Sequence, residues 1–148
     1  MNLPDRITVV EVGPRDGLQM EKVFIPTGLK IEVINCLSAS GLRCIEATSF
    51  VNPKVIPQMA DSDEVMRGID RRPGVTYSAL ILNVKGAQRA IAAQVGAVRF
   101  VVCASEAYNQ KNMNMSIKKL FEEKYTAPPT TKDEKAMSAE YFFKKLKF

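Results

Sequence analysis

Four short apolar runs recur along this chain, and the stretches between them keep a different rhythm. The first, ITVVEV at residues 7–12, is β-branched and continuous rather than alternating. Continuity of that kind marks a strand covered on both faces, as in a parallel sheet. RCIEAT at 43–48, VTYSALIL at 75–82 and AVRFVVCAS at 97–105 read the same way. Parallel neighbours need crossovers, and helices supply them. In IPTGLKIEVINCLSASG, Leu29, Val33, Ile34 and Leu37 recur at helical spacing, with Thr27 as N-cap and Gly41 as the stop. DSDEVMRGIDRRPG at 61–74 has acids early, basic residues late and a Pro-Gly stop. VKGAQRAIAAQVG at 84–96 is an alanine-rich helix ending near glycine. The predicted order is βαβαβαβ, an α/β chain. Two architectures satisfy it: an open doubly wound sheet or a barrel of β/α units.

Polar residues gather where the runs end. Arg15 and Asp16 follow the first, Glu46 and Ser49 lie at the second, Asn83 follows the third, and Ser105 and Glu106 the fourth. In a barrel these ends ring one face, where active sites sit. The first turn, VEVGPRDGLQ, has neither G-x-G-x-x-G nor a P-loop, so it gives no support for a Rossmann-type nucleotide site. It offers a carboxylate, Asp16, suited to a hard divalent cation such as Mg²⁺ or Mn²⁺. Beside it, the Arg15 guanidinium suits an oxygen that gains negative charge. A surface ion pair is the competing reading. Gly13, Pro14 and Gly17 shape a tight turn around the pair. Glu11 lies within the apolar run, where an unpartnered carboxylate is costly. It serves either as a structural partner for an arginine or as support for Arg15 or a metal. Glu46 stands two residues after Cys44 on one strand face. That face either lines a site or holds an internal salt bridge. Cys36, Cys44 and Cys103 read as core residues.

The net charge of +5 invites a nucleic-acid reading, which its distribution opposes. Residues 1–116 carry 13 basic and 11 acidic side chains, and residues 117–148 carry 8 and 5. No finger spacing, RNA-recognition signature or basic helix face accompanies the excess, so a solvated surface accounts for it. No apolar run approaches the ~18 residues that span a bilayer, and the start lacks a signal-peptide pattern. Three widely spaced cysteines form no zinc or disulfide framework, which points to the reducing cytoplasm. After about residue 118 the composition changes to a lysine-rich tail, with TAPPTTKDE as a linker and a short helix capped by Ser138. The expected division is 1–118 and 119–148.

The motifs VEVGPRDGLQ, EK at 21–22, IEATSFV, PQMAD at 57–61, ASE at 104–106 and KNMNMSI, in that order, closely resemble the hydroxymethylglutaryl-CoA lyase family over residues 5–118. RDG alone is shared with a wider group of metal-dependent barrel lyases and synthases. The resemblance implies the N-terminal half of a (β/α)8 TIM barrel, about four βα units, with a divergent tail. It implies cleavage of a C–C bond in an acyl-CoA substrate, giving acetoacetate and the enolate of acetyl-CoA. Asp16 is then a ligand of Mg²⁺ or Mn²⁺, Arg15 stabilises the enolate oxygen, and Gln19, Glu46 and Ser49 line or support the site. Glu11 stands behind them. The family also uses a His-x-His pair, an asparagine and a loop cysteine from later segments, whereas these 148 residues contain no histidine. The expectation is therefore a truncated chain, inactive alone and binding metal weakly. A half-barrel that pairs with itself or with a complementary fragment, and a non-catalytic binding protein acting through the basic FFKKLKF end, are the alternatives.

Overall fold

The computed structural model describes residues 5–101 and 104–119. They belong to two compact units, one through Val101 and the other from Val102 onward. The first unit holds a parallel sheet of three strands, β1 (Cys44–Ser49), β2 (Thr76–Ile81) and β3 (Ala97–Phe100), in the order β1-β2-β3. Helices α1 (Thr27–Ala39), α2 (Ser62–Gly68) and α3 (Val84–Ala92) alternate with them. The second unit contributes α4 (Glu106–Met113), where Ser105 Oγ accepts from the Tyr108 amide at 3.3 Å. The tail expectations, from the linker to the Ser138 cap, fall outside the described residues, as do positions 102 and 103 of the fourth run.

Sequential strand order with α1, α2 and α3 on one side decides between the two architectures. Ile34 of α1, Val65 and Met66 of α2 and Ala90 of α3 pack with Ile45, Ala47, Tyr77, Ala79 and Ile81 in one core. A doubly wound sheet needs helices on both faces. Here the other face of the sheet carries Glu46, Ser78, Leu80 and Arg99, the residues that alternate with the core set. One face dressed by helices and one inner, partly polar face is the layering of barrel units.

The expected first strand does not form. Residues 7–12 touch the sheet at a single point, where the Glu11 amide donates to Cys44 O at 2.9 Å and the Glu46 amide donates to Glu11 O at 2.7 Å. The parallel register explains this. Glu11 lies opposite Ile45, so the residues before it run past the start of β1, alongside the turn at Gly41 rather than a strand. Ile7 and Val9 stay 80% and 61% exposed in consequence.

Two expectations for α1 also change. Its stop is as read, since Gly41 has φ +95°. Thr27, however, makes no capping bond, and its hydroxyl donates to Asp61 Oδ2 at 2.8 Å. The buried face runs through Lys30, Ile34 and Ser38, while Leu29 is exposed. The second helix ends at Gly68, well before the Pro-Gly signal. There Arg71 donates to the carbonyls of Met66 and Ala93 at 3.0 and 2.8 Å, and Asn35 Oδ1 accepts from the Asp70 amide at 2.9 Å. These side chains occupy groups that another helical turn would need.

Candidate functional site

The GPRDG segment closes as a single π-helical turn, Gly13–Gly17. Pro14 fits its first turn because no amide is needed there, and the Asp16 amide donates to Val12 O at 2.7 Å. π-turns are rare and concentrate at functional sites. Glu11 fixes the entry, with its Oε1 accepting from the Gly13 amide at 2.6 Å. A Cβ on Gly13 would lie 2.8 Å from that same oxygen, so glycine lets the carboxylate fold back over the backbone. Glu11 thus supports Arg15 through the turn rather than by pairing with it.

Arg15 is held on two edges. Its Nε–H donates to Glu46 Oε1, and Nη1 donates to Asp16 Oδ1 at 2.5 Å. Among the described residues nothing accepts from Nη2. Glu46 is 1% exposed, and its second oxygen forms an ion pair with Arg99 Nε of β3 at 2.7 Å but accepts no hydrogen bond among the described residues. A carboxylate this buried is sustained only by opposite charge and hydrogen bonds. Asp16, by contrast, is 59% exposed. The four side chains form an alternating line of charge, Asp16–Arg15–Glu46–Arg99, buried at Glu46 and exposed at both ends.

Ser49 joins Glu46 by an irregularity in β1. Strict alternation sets residues three apart on opposite faces. The register slips between Glu46 and Thr48, so that Glu46 faces Ser78, Thr48 faces Ala79 and Ser49 faces Leu80. Ala47 and Thr48 both take the helix side, where Thr48 donates to Ser62 Oγ at 2.7 Å. Ser49 is thereby returned to the inner face with Glu46. Its buried hydroxyl has no hydrogen-bond partner among the described residues, and neither has Gln19 Oε1 just beyond the π-turn. Buried polar atoms without partners are uncommon and suit a polar ligand.

Asn83, expected at the active face, caps α3, its Oδ1 accepting from the Gly86 amide at 2.8 Å. Glu106, in the other unit, accepts from the Ile117 amide at 3.0 Å. Two residues outside the expected set matter here. Arg99 is one, a cation within an apolar run and on the strand face shared with Glu46. Lys30 is the other, donating to Gln58 O and Asp61 Oδ1 at 2.6 and 2.7 Å beneath the Phe24 ring. Gln58 Nε2 in turn donates to Glu21 O at 2.7 Å, so PQMAD braces the segment that follows the π-turn.

Among the described residues no group of three or more His, Cys, Asp or Glu side chains converges to hold a metal ion. Asp16 offers one carboxylate, already paired with Arg15, and Glu46 is committed to two arginines. These residues by themselves do not fit a divalent metal site. No described helix is long and apolar enough to cross a membrane.

Comparison with known proteins agrees with this geometry. A chicken mitochondrial hydroxymethylglutaryl-CoA lyase (Gallus gallus) is 54% identical over 119 residues, covering 80% of this chain and 40% of that protein. The cytoplasmic 3-hydroxy-3-methylglutaryl-CoA lyase of Mus musculus is 54% identical over 115 residues, 78% of this chain and 34% of its own length. An HMG-CoA lyase from A. baumannii, solved in complex with coenzyme A and 3-methylmalate, superposes with a TM-score of 0.76 at 46% identity, over 78% of this chain and 38% of that one. The chain spans less than half the length of these relatives, and its parallel sheet with one-sided helices is part of their TIM barrel. The family model described as HMGL-like matches residues 6–144, and the chain belongs to that family.

Proposed function

We propose that these residues carry one part of a hydroxymethylglutaryl-CoA lyase site. Arg15 meets the oxygen that gains charge as the C–C bond of the acyl-CoA breaks, yielding acetoacetate and the acetyl-CoA enolate. One observation supports this most directly: a guanidinium fixed on two edges by Glu46 and Asp16, with Nη2 left over, while the Ser49 hydroxyl on the strand face of Glu46 has no partner among the described residues. A fixed cation aimed at developing charge lowers a barrier because it needs no reorganisation during the reaction. Ser49 and Gln19 supply polar contacts to the substrate, and Glu11 and Glu46 hold Arg15 in place.

A divalent ion, when bound, would supply a Lewis acid for the substrate oxygens. Asp16 would give it one carboxylate, which the described residues by themselves do not complete into a site. With one carboxylate and no histidine in the 148 residues, binding is weak and this chain does not turn over alone. The free Cys36 and Cys44 thiols suit a reducing compartment such as the cytoplasm. The test is an acetoacetate-release assay with excess Mg²⁺ or Mn²⁺ on the purified chain beside Asp16→Ala. No turnover is expected from either. Turnover that Asp16→Ala abolishes would mean that a working metal site needs no histidine, and the inactivity proposed here would be wrong.

A second reading is favoured by the exposed apolar residues Ile7 and Val9, in the segment that meets the outer edge of β1 at Glu11, and by exposed Met20 and Val23. Such an edge invites pairing, with another copy or with a complementary fragment. Sedimentation across a concentration series would show association; a monomer at every concentration would dismiss pairing between copies.

A further inference from the structure

We propose that Arg99 is a positioning residue that keeps the Nη2 edge of Arg15 open for a substrate oxyanion. The inference deepens the function proposed above and rests on that reading for the identity of the anion, though not for the geometry. A carboxylate and a guanidinium left to themselves favour a two-pronged pairing with two parallel N–H···O bonds. Glu46 does not pair with Arg15 in that way. Only Oε1 meets Arg15, at Nε, while Oε2 is drawn by charge to Arg99 Nε, 2.7 Å away, without a hydrogen bond. Asp16 occupies Nη1 from the opposite side. The remaining edge, Nη2, is the one without an acceptor among the described residues.

Removing Arg99 takes away the charge that faces Glu46 Oε2, a buried oxygen that already lacks a hydrogen bond among the described residues, and an uncompensated carboxylate oxygen there is costly. The nearest relief is a second bond to Arg15. The carboxylate would then take a guanidinium edge that the ligand needs, and the competition would appear as weaker anion binding. Arg99 comes from β3, two strands away from the π-turn's contact with β1. Pairing of β2 with β3 is therefore coupled to the readiness of Arg15.

The test uses the full chain, with Arg99→Met and Arg99→Lys, and two readouts. The first is the arginine side-chain ¹⁵N NMR spectrum, in which hindered rotation of the guanidinium resolves the Nη signals. The second is affinity for free 3-hydroxy-3-methylglutarate. In Arg99→Met the Arg15 Nη signals should become resolved, and affinity should fall ~10-fold, as loss of one charged hydrogen bond implies. Arg99→Lys keeps a cation that can hold Oε2, and should restore both readouts to near wild type. An Arg15 spectrum unchanged in Arg99→Met would overturn the proposal, as would Arg99→Lys behaving like Arg99→Met with its fold intact. If the wild type binds no probe while Arg15 still responds to Arg99→Met, the positioning role stands and the assigned substrate falls.

Discussion

Replacing Lys30 tests the brace that holds the site's surroundings. The side chains of Lys30 and Asp61 are only 4% and 8% exposed, and the ammonium makes bonds of 2.6 Å to Gln58 O and 2.7 Å to Asp61 Oδ1. Lys30→Met keeps a flexible apolar stem of similar length and removes the charge. Asp61 is then left with the Thr27 hydroxyl at 2.8 Å as its side-chain donor, an ion with no counter-ion. Breaking a buried pair from one side costs ~3–5 kcal/mol, most of it from the stranded charge. At roughly 3 °C per kcal/mol for a chain of this length, the thermal midpoint should drop by ~10 °C or more. Adding Asp61→Asn removes that charge and retains an acceptor for Thr27, so the double variant should recover at least half of the loss. The assay is thermal and urea unfolding followed by circular dichroism, at low and high salt. The loss should persist in salt, because buried pairs are poorly screened. A cost under ~1 kcal/mol for Lys30→Met, or a double variant less stable than the single, would refute the argument.

Two further substitutions separate packing from function. Gly86→Ala would ordinarily help a helix by up to ~1 kcal/mol, but a Cβ there meets the Phe50 carbonyl oxygen at 2.6 Å. It should instead destabilise by ~1–3 kcal/mol in urea unfolding, and a stabilised protein would show that α3 does not seat this closely on the end of β1. Ser49→Ala deletes a buried hydroxyl that has no partner among the described residues, so stability should hold within ~0.5 kcal/mol or rise. Its affinity for 3-hydroxy-3-methylglutarate should fall several-fold by calorimetry; a large stability loss with unchanged affinity would make Ser49 structural.

The periodic parts of this fold could be read from the sequence. The second and third runs became β1 and β2 within a residue at each end, since continuous apolar runs between helices have few other ways to be buried. The motif GPRDG marked the turn, and its glycine and proline report backbone needs that are local. What escaped depends on partners distant in sequence. Residues 7–12 have a strand's composition, yet the register sets most of them beside a turn. Lys30 lies on the buried face of α1 because Asp61 and Gln58 receive its charge, and neither could be inferred from helical spacing. The apolar stripe that begins at Leu29 therefore lies one residue away from the buried face that begins at Lys30. Arg99 is not legible from its own run, because its meaning comes from Glu46, two strands away.

The slip in β1 has a consequence for how this strand can vary. Before Ala47 it addresses the inner face on even positions; after Thr48 it does so on odd ones. The strand is thus written in two phases joined at one residue. Substitutions within either phase are ordinary changes of side chain. A one-residue deletion at the joint is of another kind, since it removes the extra residue and restores plain alternation, with Ser49 still opposite Leu80 on the inner face and Phe50 still on the helix side. Away from the joint a single deletion would exchange the faces of the residues on one side of it, so this is the point where the strand's length can change without that exchange.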